Sequence, residues 1–123
     1  MEKNRKGTIL VVDDEAMCVS FLVNLLKDEY TLFVAKNGHN AISMAMNIEP
    51  DLILLDVNMP DMTGHEVILA LRHIRETSNI PVIFISNLDS PKDIEQGLKL
   101  GAVDYIQKSV EASTMKQRIL SKL

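Results

Sequence analysis

Asp13, Asp14 and Glu15 follow the apolar run Ile9–Val12, Asp56 follows Leu52–Leu55, Ser86 follows Val82–Ile85, and Lys108 follows the more mixed run Val103–Gln107. Carboxylates, a hydroxyl and an ammonium thus recur at one kind of place, the end of a short stretch that reads as a strand. Two ionised carboxylates about 4 Å apart repel by about 4 kcal/mol at an effective dielectric of about 20, so a cluster of them needs a cation or a shifted protonation state. With oxygen donors and no Cys or His at ligand spacing, Mg²⁺ is the expected ion, Mn²⁺ its substitute, and Zn²⁺ is disfavoured; no Asp-rich, Gly-centred calcium loop is present. A hydroxyl, an ammonium and a hard cation around one carboxylate are the parts that hold a phosphoryl group. One at a time these residues have plainer readings: Asp13 and Asp14 as helix caps, Asp56 as a strand-end solubility residue, Ser86 as a turn residue, Lys108 as a solvated side chain. Their joint placement favours a site.

That placement depends on the elements. Ile9–Val12, Leu52–Leu55 and Val82–Ile85 are wholly apolar and read as strands buried on both faces, whereas Thr31–Ala35 and Val103–Gln107 carry interleaved polar residues and read as edge strands. Helical spacing lies between them, at Val19, Leu22, Val23 and Leu26; at Ala41, Met44, Ala45 and Ile48; at Val67, Leu71 and Ile74; and at Ala112, Met115, Ile119 and Leu123. Thr63 with Glu66 and Ser90 with Asp93 have capping-box spacing, and Pro91 suits a first helical position. The fourth helix, about 90–100, has the poorest stripe, Ile94 and Leu98 around an interior Gly97 that costs about 1 kcal/mol relative to Ala, and is expected to be the least firmly held. Five alternating strands and helices imply a parallel sheet joined by right-handed crossovers, with strand order 2-1-3-4-5. Ligands of such sheets bind beyond the carboxyl ends of the strands where the order reverses, between strands one and three. Asp13–Glu15 and Asp56 leave those two strands.

Composition sets outer limits. The formal net charge is −4, from 13 Lys and Arg against 17 Asp and Glu, and basic residues cluster nowhere beyond Lys3, Arg5 and Lys6, which argues against nucleic acid as a direct partner. No segment approaches the roughly 20 apolar residues of a membrane span. The single Cys18 excludes an internal disulfide and fits a reducing, cytoplasmic setting. Residues 1–123 are expected to form a single domain, with 1–7 as a flexible leader. His39, His65 and His73 are expected at the surface, Met59 and Met62 as packing around the loop after Asp56, and Cys18 as an inert thiol.

The segments ILVVDDE (9–15), DVNMPDMTG (56–64), the strand ending at Ser86 and DYIQK (104–108) together resemble the receiver domain of two-component response regulators, over nearly the whole chain. The resemblance implies a flavodoxin-like doubly wound (βα)5 fold and a phosphorelay function. It implies Asp56 as phosphoacceptor, Asp14 and Asp56 as Mg²⁺-binding carboxylates, Asp13 as a further acidic contributor and the Asn58 backbone carbonyl as a third protein ligand. Ser86 resembles the switch hydroxyl, Lys108 the phosphoryl-pairing lysine, and Tyr105 the aromatic that turns inward with the switch. The implied partners are a sensor histidine kinase or phosphotransfer protein and a downstream effector or output domain. The fourth helix, fifth strand and fifth helix form the surface that responds and on which a homodimer would form. The domain would be no general enzyme, catalysing only its own phosphorylation and dephosphorylation.

Two positions depart from the family pattern. Ser109 follows Lys108 where most receivers have proline, commonly after a cis bond; because a cis bond to a non-proline residue costs about 2.5–4 kcal/mol, trans is expected here. Asn87 follows Ser86 where a small residue is usual, and either crowds the phosphoryl site or adds a donor. Three other readings compete. A phosphatase of the haloacid-dehalogenase type needs a second acid two residues beyond its nucleophile, where Asn58 stands. A flavin carrier needs a glycine- and hydroxyl-rich phosphate loop where Asp13–Glu15 stand. A receiver used only for docking, never phosphorylated, would fail to bind Mg²⁺.

Overall fold

Aliphatic runs buried on both faces become strands, and each amphipathic segment between them becomes the helix that covers them. The computed structural model describes residues 6–87 and 90–123. Its elements are β1 (Thr8–Val12), α1 (Ala16–Leu26), β2 (Thr31–Ala35), α2 (Gly38–Ile48), β3 (Leu52–Leu55), α3 (Gly64–Arg72), β4 (Val82–Ser86), α4 (Pro91–Lys99), β5 (Asp104–Gln107) and α5 (Ala112–Leu120). All strand pairs are parallel and the order is β2-β1-β3-β4-β5, as the edge composition of β2 and β5 predicts. The register sets Val12 beside both Ala35 and Leu55, so β1 and β3 end level and their following residues leave from one rim.

Side chains alternate across the sheet. Leu10, Val12, Ile53, Leu55 and Phe84 face α2 and α3 through Ala41, Ala45, Val67, Ile68 and Leu71. Ile9, Val11, Leu52, Leu54, Ile83 and Ile85 face α1 and α5 through Leu22, Leu26, Met115 and Ile119. Each of the Val, Leu, Ile, Phe and Met side chains among them contributes about 1.5–3 kcal/mol on burial. Boundary chemistry agrees with the spacing: Thr63 and Glu66 form a reciprocal capping box, and Ser90 Oγ accepts the Asp93 N–H with Pro91 following.

The structure departs from expectation in particulars. Leu98 is 45% exposed, so α4 rests on the sheet through Gly97 and the half-buried Ile94 rather than through an Ile94–Leu98 stripe. A Cβ on Gly97 would lie 3.0 Å from ring carbons of both Phe84 and Tyr105, so the glycine is the contact surface itself. Leu123 lies beyond α5 and is exposed, and α3 ends before Ile74. Of the expected leader, Lys6 donates to the Glu29 carbonyl and Gly7 accepts from the Thr31 N–H, which ties both into the domain; residues 1–5 lie outside the described residues. His65 is only partly exposed. Its ring meets Phe84 edge-on at 5.4 Å, and its Nε2 is buried without a hydrogen-bond partner among the described residues. No helix among the described residues is long and apolar enough to cross a membrane.

Candidate functional site

Asp13 is the first residue beyond β1, and its N–H donates to the Ala35 carbonyl; Asp56 is the first beyond β3, and its N–H donates to the Val12 carbonyl. These bonds extend the sheet by one residue and bury both side chains at its rim, Asp13 at 2% and Asp56 at 6% exposure. Asp14 is exposed beside them. Carboxylate oxygens of Asp13, Asp14 and Asp56 all lie within 4.8 Å of one another, so residues more than 40 positions apart form one cluster. The plainer reading of Asp13 and Asp14 as caps of α1 fails, because the N-cap is Glu15 and it makes no side-chain cap. Asp13 Oδ1 instead accepts the Glu15 N–H at 2.9 Å, a tight turn that leaves its other oxygen directed elsewhere.

That oxygen meets Lys108. The ammonium Nζ is 3.0 Å from Asp13 Oδ2, 3.1 Å from Glu15 Oε1 and 3.6 Å from Asp56 Oδ2. β5 delivers it there: the Lys108 N–H donates to the Ser86 carbonyl at 2.9 Å, one step past the Ser86–Gln107 register pair. Burial works to lower the Lys108 pKa, but the hydrogen bond to Asp13, the Asp56 charge and Glu15 overcome it and hold the ammonium above its ordinary range. Burial pushes the Asp56 carboxyl up to about 6, with the Asp13 charge adding to the shift; Lys108 and the N–H groups of Val57 and Asn58 only partly draw it back. One lysine therefore leaves the acidic cluster with uncompensated negative charge. No cis peptide bond occurs among the described residues, so Lys108–Ser109 is trans as expected.

Asp14, Glu15, Asp56, Asn58, Asn87 and Lys108 line an open cavity of about 390 Å³. The candidate ligand atoms are hard carboxylate and carbonyl oxygens, and the residual negative charge is of the sign a divalent cation relieves, so the residues fit Mg²⁺ or Mn²⁺. Ser86 is buried at the end of β4, and it is Asn87 that reaches the cavity wall. Tyr105 does not line the cavity. Its ring is buried 5.9 Å from that of Phe84, turned into the core. Glu15 is the contact that residue types alone did not assign; its signal was only its place as the third acid of a run, and its pairing with a lysine 93 residues away needed the fold. Cys18 is half-buried and its thiol is pushed up to about 12 by burial and by Asp13, which keeps it protonated. Met59 and Met62 pack half-buried against the core, also as expected.

Residues 9–120 match the family model described as the response regulator receiver domain. Among curated proteins the chain is 39% identical over 119 residues to a probable cyclic di-GMP phosphodiesterase of Vibrio cholerae, covering 97% of this chain and 27% of that protein. It is 36% identical over 117 residues to histidine kinase P4 of Formosa agariphila, covering 95% of this chain and 8% of that protein. The chain thus spans about a quarter or less of these relatives. Among solved structures it resembles the chemotaxis response regulator CheY4 of Vibrio cholerae, with TM-score 0.87 and 28% identity over 94% of this chain and 98% of that one.

Proposed function

This chain belongs to the response regulator receiver domain family of two-component signalling, and on that premise we propose that Asp56 accepts a phosphoryl group from a phosphohistidine of a sensor histidine kinase or phosphotransfer protein. The observation that carries the reading is the convergence of Asp13, Asp14 and Asp56 with the Lys108 ammonium at one rim of the sheet. An ionised Asp56 oxygen attacks phosphorus in line, the P–N bond breaks, its electron pair leaves on the imidazole, and an acyl phosphate forms. Asp13, Asp14, Asp56 and the Asn58 backbone carbonyl would hold Mg²⁺, which when bound neutralises charge developing on the phosphoryl oxygens.

The remaining work falls to the chain itself. Lys108, held near Asp56 by Asp13 and Glu15, is placed to exchange those partners for phosphoryl oxygens, a charge-assisted contact. The Ser86 hydroxyl would donate to the same group, and Ser86 begins the connection into α4. Because α4 rests on Gly97 and Ile94 alone among its apolar positions, a shift of that connection reaches α4 at low cost, and the surface of α4, β5 and α5 would change its affinity for an output domain, an effector or a second protomer. The domain is on this reading a cytoplasmic regulatory phosphoacceptor, not an enzyme acting on other substrates. Intact-mass measurement after incubation with acetyl phosphate tests it. Wild type should gain one phosphoryl group only with Mg²⁺, and Asp56→Asn should gain none; equal labelling of the two would overturn the assignment.

A further inference from the structure

The loop that leaves β3 carries both Asp56 and Asn58, and a carboxylate farther along ties it to a helix that contributes nothing else to the site. Asp61 Oδ1 accepts the N–H groups of Gly38 at 2.8 Å and Met62 at 2.9 Å, and Oδ2 accepts the His39 N–H at 3.0 Å with the His39 imidazole beside it. Gly38 and His39 are the first two residues of α2, whose N-cap Asn37 already serves the Asn40 N–H. Two side chains from distant parts of the chain therefore divide the helix's orphan donors. The positive end of α2 favours the Asp61 charge, and the Gly38 and His39 N–H groups hold its carboxyl well below the usual carboxylate range, so the clamp stays ionised at working pH.

The clamp is short on both sides. A Cβ on Gly38 would lie 2.7 Å from Met62 Cβ, so loop and helix touch directly. Back along the loop only Pro60, its φ locked by its ring, and Met59 separate Asp61 from Asn58. At the other side the Gly64 N–H closes onto the Val57 carbonyl at 2.7 Å. Asn58 itself lines the acidic cavity, and its N–H supports the Asp56 carboxylate. Removing Asp61 would free the loop from α2 while deleting none of the candidate ligands.

We propose that Asp61 is a positioning residue for the cation: by anchoring the β3–α3 loop to the first turn of α2 it holds Asn58 and Asp56 where the acidic cavity can bind a divalent ion. The inference rests on the reading of that cavity given above. The test is Mn²⁺ binding by the full chain, measured from the free-ion electron paramagnetic resonance signal and so independent of phosphorylation. Asp61→Ala should weaken binding about tenfold or more, the range for loss of a supporting contact behind metal ligands. Asp61→Asn keeps an acceptor for one of the helix N–H groups and should weaken binding less than Asp61→Ala does. Thr77→Ala removes a buried hydrogen bond to the Leu71 carbonyl in another part of the domain and should lower Tm without changing Mn²⁺ affinity. Wild-type affinity in Asp61→Ala, equal loss in the Asn and Ala variants, or equal loss in Thr77→Ala would each overturn the role of Asp61. If Asp61→Ala does not fold, wild-type affinity in Asp61→Asn overturns it. Failure of wild type to bind Mn²⁺ would remove the cavity reading itself, a separate outcome.

Discussion

Replacing Asp56 by Asn should stabilise the metal-free protein at neutral pH, and the gain should fade in acid. The Asp56 side chain is 7% exposed, and its nearest cation, Lys108, sits closer to Asp13 and Glu15 than to it. Folding moves its carboxyl from 3.8 to about 6. The folded state then binds the proton more tightly than the unfolded chain, so stability is greatest while Asp56 is protonated and falls as pH rises from about 4 through about 6. A shift of roughly two units corresponds to about 3 kcal/mol of native-state penalty once the carboxylate is ionised. Asn keeps the shape and loses the charge, so at pH 8 the variant should recover about 2–3 kcal/mol, a Tm rise of roughly 6–12 °C for a domain of this size. Thermal unfolding followed by circular dichroism in excess chelator, at about pH 8, 6 and 4.5, reads the effect directly. The gap should shrink to about a third of its size at the lowest pH. Adding Mg²⁺ at pH 8 should raise the Tm of wild type and leave the variant where it was, because only wild type keeps the full donor set. Equal Tm values at pH 8 without metal, or a gain that persists unchanged in acid, would show that Asp56 is not held in the charge-strained setting described.

Three further outcomes follow from the same geometry. Lys108→Ala removes the cation nearest the cluster and should raise the Asp56 titration midpoint above about 6, seen as its carboxyl carbon shift by NMR; a midpoint at or below the wild-type one would contradict the assigned role of Lys108. Gly97→Ala should gain about 1 kcal/mol from helix propensity but lose more by driving a Cβ to 3.0 Å from Phe84 and Tyr105, for a net loss of about 1 kcal/mol in urea unfolding, and a more stable variant would count against that packing. Gly64→Ala would set a Cβ 2.4 Å from the Asp56 carbonyl oxygen and should cost about 3 kcal/mol while slowing acetyl phosphate labelling; normal labelling would mean that α3 does not buttress Asp56.

Much of the architecture is legible in residue order because its cause is local. Leu52–Leu55 has no polar face to show solvent, so it reads as a covered strand, and Thr31–Ala35 and Val103–Gln107 with their mixed faces read as edges; with β2 and β5 at the edges, β2-β1-β3-β4-β5 is the simplest order, and it is the one observed. The acidic site is legible for the same reason. A parallel sheet sends every strand's carboxyl end to one rim, so residues that follow Val12, Leu55, Ile85 and Gln107 are collected there whatever the helices do. Helix faces are less legible, since Leu98 fits a periodic stripe yet is exposed. Periodicity shows that a face exists, whereas the neighbouring Phe84 and Tyr105 rings decide that a glycine packs best against the sheet.

The order of residues by itself determined the chemistry available, three carboxylates with a hydroxyl and a lysine at strand ends, and the rim on which it would gather. Tertiary structure alone decided how that chemistry is poised: that Lys108 turns to Asp13 and Glu15 more than to Asp56, that Asp61 fastens the loop to α2, that His65 packs on Phe84, and that the Tyr105 side chain is buried. The reason is physical. Strand formation and rim placement depend on short-range patterns of apolar residues, whereas the partner of a charge or a ring depends on distances of a few ångströms between segments that the chain order leaves tens of residues apart.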